Sequence, residues 1–505
     1  MSKSLHGYMK RLFVTNRHNS IKQFVLACMV KDNLGTNMTN TAAIKKVKVI
    51  SCEHSALAGW YTTAMAAYAF KDTGIAVSHI TSDKEPLFSH GSLTLQADVL
   101  LALQEIGITE SALVNHARAM PFLANKYIGW QRKNHVALAG LAKSGVPLRG
   151  VSFVHYLARL RNETNDLTWQ AELFSLNTMC ASLGTFARPN ADPRSILSSL
   201  EYGLRVDAKL LCKLLIQVVF ELGDVSALQT NSRDCQEQSF DRETITLDCR
   251  TSRGPSHKMP LDTLLIETPC PNEDIPRVDK LSNEYECTDD GYIEHQYVNG
   301  CRYSRKFIAR HFIKDNKRLC EPFSECNEIS LSPNSSDFWQ HSFNTVYLFE
   351  TGAHQLLDNG GLGYRAQQLN TLWPLIRGAN LSATAANFFN RLSAERYRYW
   401  RDLSLLPVFL CDREDTAFWQ FKANQIEAED LEHVIGFYQR TGVFPQLEHY
   451  PADIGLIENT LLAFDKYPKA SDPLCFSIEI GELELQLTKL KQQIKQAAIQ
   501  LPQFQ

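Results

Sequence analysis

The stretch KKVKVISCEHSALAGWYTTAMAAYAF, residues 45 to 70, limits what this chain can fold into more than any other. A short β-branched run (Val47, Val49, Ile50) meets a tight segment of small residues, and an alanine-rich helix follows. Strand, tight turn and helix in that order open a dinucleotide-binding unit, where three glycines serve three purposes. The first permits a sharp turn, the second lets a pyrophosphate approach the backbone, and the third lets helix pack on strand. Here the three positions hold His54, Ala56 and Gly59, so only the packing glycine remains. A βα turn with no nucleotide accounts for the segment as well as a nucleotide site does. At the distance such a unit requires, GIAVSHITSDKEP (74 to 86) alternates as a second strand and ends in a polar turn. An acid normally stands at that strand end to accept hydrogen bonds from ribose hydroxyls. Thr81 holds the place, with Asp83 two residues later.

The 505 residues suffice for two to four domains or one large core with a satellite. With 44% hydrophobic residues, 21% charged and a formal charge of -3, the chain reads as globular and offers no basic field for nucleic acid. Of 13 cysteines, Cys235, Cys249, Cys270, Cys287, Cys301, Cys320 and Cys326 fall close together, yet none forms a C-x-x-C pair. Free thiols in a reducing cytoplasm explain them better than a metal site, so no metal is expected. The apolar run FVLACMV (24 to 30) is too short to span a bilayer, which leaves no membrane role. Residues 1 to 44 read as a flexible extension or an over-long start.

Taken in order, ALAGWYTTAMAAYAF, ITSDKEP and SHGSLTLQADVLLALQEIGITESAL resemble the opening of the flavin-dependent tryptophan halogenases. That family opens with a GGGTAGW-type turn, a strand ending near a proline, a GVGEAT-type flavin loop and a helix running into LGI. Gly59 and Trp60 match the first motif, Pro86 the second, Gly91 and Thr94 the third, and EIGI (105 to 108) the fourth. Further on, YGLRVDAKLLCKLL (202 to 215) is similar to the family's HFDAxLFAxFL helix, LDCRTSRG (247 to 254) to its IDCSGxxG return, and GCRYSRKFI (300 to 308) to a GYVYSSxFI strand. In FNRLSAERYRYWRDLSLLPVFLCDREDTAFW (389 to 419), Asp415, Thr416, Phe418 and Trp419 fall in register with RDDTPFW. Asp415 and Thr416 also suit an N-cap, and Phe418 and Trp419 a core, with no chemistry needed. The C-terminal GELELQLTKLKQQIKQAAIQLP carries apolar residues at helical spacing and reads as a packing helix.

The resemblance implies an α/β (α+β) fold: a Rossmann-like FAD-binding domain of the flavin monooxygenase type with a mainly helical substrate-side region. It divides the chain into 45–380 and a C-terminal helical region, 381–505. It also implies FAD as cofactor, reduced by a separate flavin reductase if the protein is active, and an aromatic small molecule as substrate. In that chemistry reduced FAD and O₂ give a hydroperoxide, halide attack makes hypohalous acid, and a lysine and a glutamate direct the halogen onto the substrate. Homodimers occur in the family, which leaves a homodimer open here.

Against that pattern the ligand-contacting positions are altered. The cofactor positions are His54, Ala56, Gly59, Trp60, Thr81, Gly91, Thr94 and Gly361, with Ser92 in place of the loop glutamate and Arg250 and Thr251 in place of two small residues. The reactive lysine falls on Phe122, which has no nucleophile, proton donor or charge. Lys126 and Arg118, read as one helical turn to either side, are the candidates for relocation and equally ordinary solvent-facing charges. The family's WxWxIP wall becomes GYIEHQYV (291 to 298), with Tyr292 and Glu294 for the tryptophans. In AHQLLDNGGLGY (353 to 364), Asp358 takes the catalytic glutamate's place if one residue is inserted, and Leu357 if none is; DNGG is also an ordinary turn. The expectation is a diverged family member that has lost halogenation and is open to having lost FAD, acting as a binding or partner protein. The alternatives are an active FAD-dependent halogenase or monooxygenase using Asp358 and Lys126, and a flavin-binding protein without turnover. A small apolar ligand is expected between the segments around Phe122 and Asp358.

Overall fold

Val47, Val49 and Ile50 are fully buried on β1 (Lys46–Ile50), where branched side chains pack well on a pleated surface. The computed structural model describes residues 44–51, 56–82, 92–223, 225–230, 243–249, 263–271, 281–289, 291–298, 301–309, 329–331, 338–340, 344–348, 361–377, 382–416, 419–420, 429–445 and 455–504. His54, Gly91, Arg250, Thr251, Leu357, Asp358, Phe418 and residues 1–43 lie outside them.

Strand β1 sits inside a six-stranded sheet with β2 (Ala76–Ser82), β8 (Val225–Thr230), β9 (Thr244–Asp248), β15 (Phe338–Gln340) and β16 (Thr345–Tyr347). Their order is β15-β16-β9-β1-β2-β8, and every pairing except β15 with β16 is parallel. Taken in chain order, the parallel strands run third, second, first, fourth, fifth, the arrangement that opens a ligand crevice at the carboxyl ends of β1 and β9.

The helix after β1, α1 (Ala56–Ala69), is rich in alanine, the best helix former. Its two β-branched threonines are accommodated by bonding backward, Thr62 Oγ1 to the Ala58 carbonyl at 2.7 Å and Thr63 Oγ1 to the Gly59 carbonyl at 2.9 Å.

A second sheet of seven strands has the order β14-β10-β13-β12-β11-β5-β6. These are β5 (Ala124–Ile128), β6 (Val136–Gly140), β10 (Thr263–Pro271), β11 (Ser282–Cys287), β12 (Gly291–Val298), β13 (Cys301–Ala309) and β14 (Ile329–Leu331). Between the two lies a small antiparallel sheet of β3 (Ser92–Leu95), β7 (Gly203–Asp207) and β4 (Met120–Phe122), ordered β3-β7-β4. The 202–215 stretch, expected as helix, is helical only from Ala208: Gly203–Asp207 is β7, and Asp207 caps the helix α6 (Ala208–Leu222) by accepting from Leu210 N at 3.0 Å. The other helices are α2 (Ala97–Glu105), α3 (Glu110–Ala117), α4 (Phe153–Thr164), α5 (Leu176–Leu183), α7 (Gly361–Arg377), α8 (Ala383–Leu410), α9 (Glu429–Thr441), α10 (Gly455–Ala463) and α11 (Ile480–Gln500).

Two hydrophobic cores result. One holds Val47, Tyr61, Leu215, Ile245 and Leu369 on the six-stranded sheet; the other holds Trp130, Tyr285, Trp419, Tyr438 and Leu461 between the seven-stranded sheet and the C-terminal helices. Helix α8 joins both, with Phe389 in the first and Trp400 in the second. Helix α11 buries Leu483, Leu487, Ile494 and Ala498, the spacing of one helical face.

Candidate functional site

At the carboxyl end of β1 the described side chains pack rather than gather ligand groups. A Cβ on Gly59 would lie 2.3 Å from the Ser51 Cβ, so α1 rests directly on the strand end and only glycine fits there. His79, on β2, is fully buried beside this contact. Its Nε2 is 3.0 Å from Ser51 Oγ, its Nδ1 2.6 Å from Thr63 Oγ1, and Trp60 stacks on the ring at 3.9 Å and 18°. Burial pulls the His79 pKa down to about 4. Ala56 starts α1, and Thr81 lies on β2 opposite Gln229 with a hydroxyl where a carboxylate would stand.

The buried imidazole predicts a pH dependence of stability. An unfolded chain takes up the His79 proton near pH 6.5 and the folded chain only near 4, so this contribution is complete above 6.5 and lost as pH falls toward 4. Urea unfolding is expected to show about 2 kcal/mol lost from this source between about pH 7 and 5. A His79→Asn variant should lack that component; an identical pH slope in the variant would show that another group carries it.

Phe122 is 1% exposed. Its ring lies under Gly203, where an added Cβ would meet Cε1 at 2.2 Å and Cζ at 2.8 Å. Next to Gly203 on β7, the fully buried Arg205 donates from Nη1 to the Ser282 carbonyl at 2.9 Å and from Nη2 to the Pro121 carbonyl at 3.3 Å, tying the small sheet to β11. Burial lowers its pKa to about 9, and it stays charged at neutral pH.

The helical placement of Lys126 and Arg118 is corrected by the structure. Residues 120–122 and 124–128 are strands, because Pro121 has no N–H for a helix and forces the residue before it into extended backbone. Arg118 is instead the exposed left-handed cap of α3 (φ 54), away from any helical face shared with Phe122. Lys126 pairs in register with Glu284 on the parallel strand β11, and its Nζ is 2.6 Å from Glu284 Oε1. Tyr297 donates its hydroxyl to the other Glu284 oxygen.

Along β12 the side chains Tyr292, Glu294 and Gln296 alternate on one face and are all buried. Tyr292 packs against Trp130, ring centroids 5.4 Å apart. Glu294 Oε1 accepts from Gln296 Nε2 at 2.8 Å and from the Tyr285 hydroxyl at 3.3 Å. Gln296 reaches the small sheet, accepting from Ser92 Oγ at 2.5 Å and donating to Thr94 Oγ1 at 3.4 Å. Ser92 and Thr94 therefore bond to Gln296, and β12 is tied to the small sheet by hydrogen bonds. Gly361 is the first residue of α7, while His54, Gly91 and Asp358 lie outside the described residues. The structure thus brings Gly59, Trp60 and His79 together beside the end of β1, and Ser92, Thr94, Glu294 and Gln296 together where the small sheet meets β12.

His79, Arg205 and Glu284 were not singled out from the sequence. His79 had a signal: in AVSHITS it shares the alternation phase of Val77, which is the core-facing one. Glu294 and Gln296 share theirs with Tyr292 in the same way.

The doubly wound sheet with a helical and antiparallel second region defines an α/β protein with a Rossmann-like FAD-binding fold. Residues 55–253 match the tryptophan halogenase family model, a span that takes in α1 and the β7–α6 return. BrvH, a flavin-dependent halogenase from Brevundimonas sp. BAL3, shares the fold with a TM-score of 0.79 at 17% identity over 91% of this chain and 97% of that one. A tryptophan 6-halogenase (SttH) from Streptomyces toxytricini matches with a TM-score of 0.75 at 16% identity, over 91% of this chain and 98% of that one. No curated protein sequence matches the chain.

The family is one that uses a flavin. Among the described residues at the positions the resemblance gives to FAD, Gly59 keeps the packing role such a unit needs, but the others do not fit the cofactor: Thr81 brings no carboxylate to the β2 end, and Ser92 and Thr94 bond to Gln296. No helix among the described residues is long and apolar enough to cross a membrane.

Proposed function

We propose that this chain is a diverged tryptophan halogenase family protein that no longer halogenates, and that it acts as a binding or partner protein. The observation that carries this reading is Phe122, buried beneath Gly203 at the position the resemblance gives to the reactive lysine. A phenyl ring there holds no electrophilic halogen, and the closed Glu294–Gln296–Ser92 chain leaves the two sides of the fold joined by hydrogen bonds. Lys126 is a poor replacement, since its ammonium is engaged by Glu284. The same fit argument extends the proposal to weak or absent FAD binding.

The experiment is a calorimetric titration of the purified protein with FAD and with anaerobically reduced FAD, followed by halide and indole turnover assays. The expected result is no binding of either form at micromolar affinity, about -8 kcal/mol, and no halogenated product. Tight flavin binding without product would select a flavin-binding protein without turnover. Halide-dependent product would establish an active enzyme and overturn the reading.

A further inference from the structure

A cleft of about 360 Å³ opens at the turn end of the β5–β6 hairpin, against the loop before the 3-10 turn Ala171–Phe174 and the end of α10. It is the size of a small-molecule site. It lies the length of β5 from Phe122, about 20 Å at the rise of an extended strand, so it is separate from the region around that residue. The hairpin turn is shaped by left-handed Gly129 (φ 75) and Asn134 (φ 65), which present Arg132 and His135 to the cleft.

The charged groups around it sort into paired and open ones. At the rim, Lys466 Nζ lies 3.2 Å from Asp412 Oδ1, and Asp465 Oδ1 lies 2.5 Å from Arg161 Nη2. Asp465 is held in place as the left-handed residue (φ 59) that ends α10. Those pairs cancel one another. Two groups of opposite sign are left, each from a different element. Glu172 Oε2 accepts from Leu138 N at 3.2 Å, while its second oxygen is open to the cleft. Burial raises the Glu172 pKa, the mark of a carboxyl that lacks a cation. Arg132, on the hairpin turn, is exposed and lines the cleft, and among the described residues its guanidinium has no carboxylate partner. His135, which also lines the cleft, has its pKa lowered by burial and by Arg132, which leaves a neutral imidazole able to donate or accept. Ala171 and Phe464 also line the cleft.

We propose that this cleft binds a small zwitterion of amino-acid size, its ammonium on Glu172 and its carboxylate on Arg132. A lone amine would face the repulsion of Arg132, and a lone carboxylate that of Glu172; a ligand carrying both satisfies each charge. The proposal does not depend on whether flavin binds, so the two can fail separately.

The test is calorimetric titration of the full-length protein with the common free amino acids, together with the amine and the acid that correspond to any that binds. At least one amino acid is expected to bind saturably with a Kd of about 1 mM or tighter, and its two single-charge analogues at least about tenfold more weakly. Glu172→Gln, which keeps an acceptor for the Leu138 N–H, and Arg132→Met, at an exposed position, should each weaken binding by about tenfold or more. Absence of binding across the panel up to about 10 mM would overturn the proposal. So would equal binding by the analogues, or affinity unchanged in both variants.

Discussion

Phe122→Lys, which restores the residue type the family resemblance implies, is expected to destabilise the protein by about 4 kcal/mol or more and to yield no halogenation. Truncating a buried phenyl ring alone costs about 3–5 kcal/mol through lost transfer energy and the cavity left behind. The lysine stem refills part of that cavity, but its ammonium then sits at a position 1% exposed, against the Gly203 backbone and close to the Arg205 guanidinium that bonds the Pro121 carbonyl. A buried charge without a counter-ion adds its own penalty. Phe122→Leu keeps the site apolar and should cost only about 1–2 kcal/mol. Urea unfolding measures both: the midpoint should fall sharply for lysine and slightly for leucine, with unchanged slope. A Phe122→Lys variant as stable as the parent would mean that the space under Gly203 opens readily to water, and the case for a closed site would collapse.

How much of this was legible in the sequence depended on whether the physical rule was local. The β-branched run and the alanine-rich helix declared β1 and α1, and Gly59 declared its packing role, because strand and helix propensity and a close approach of backbones are written in neighbouring residues. The Phe122 segment suits a helix by its four-residue spacing and is extended all the same, because Pro121 overrides that spacing. The polar clusters were hidden for a different reason. Glu284 and Lys126 are 158 positions apart, and Ser92 and Gln296 are 204 apart, so their bonds follow from the order of strands in two sheets. Alternation could say that Glu294 and Gln296 face inward, and nothing in their neighbours could say what they would meet there.

Breaking the Lys126–Glu284 pair separates a structural lysine from a catalytic one. Glu284→Leu is expected to cost about 3 kcal/mol, since it takes the carboxylate away from an ammonium whose side chain is 20% exposed and removes the acceptor of the Tyr297 hydroxyl. Lys126→Met should cost less, because Glu284 keeps the tyrosine hydroxyl as a donor. The double variant Lys126→Met/Glu284→Leu should regain most of the loss, as replacing both members of a buried pair with apolar groups of similar size is close to neutral. The shortfall from full recovery measures what Tyr297 loses. A coupling energy of about 1–3 kcal/mol between the two sites would show that Lys126 is placed by its partner across β5 and β11. A catalytic lysine would behave otherwise: Lys126→Met would leave stability unchanged, show little coupling to Glu284, and abolish whatever product the parent makes. The same three variants therefore report on the fold through urea unfolding and on the chemistry through turnover, and the two readouts need not agree unless the lysine serves both.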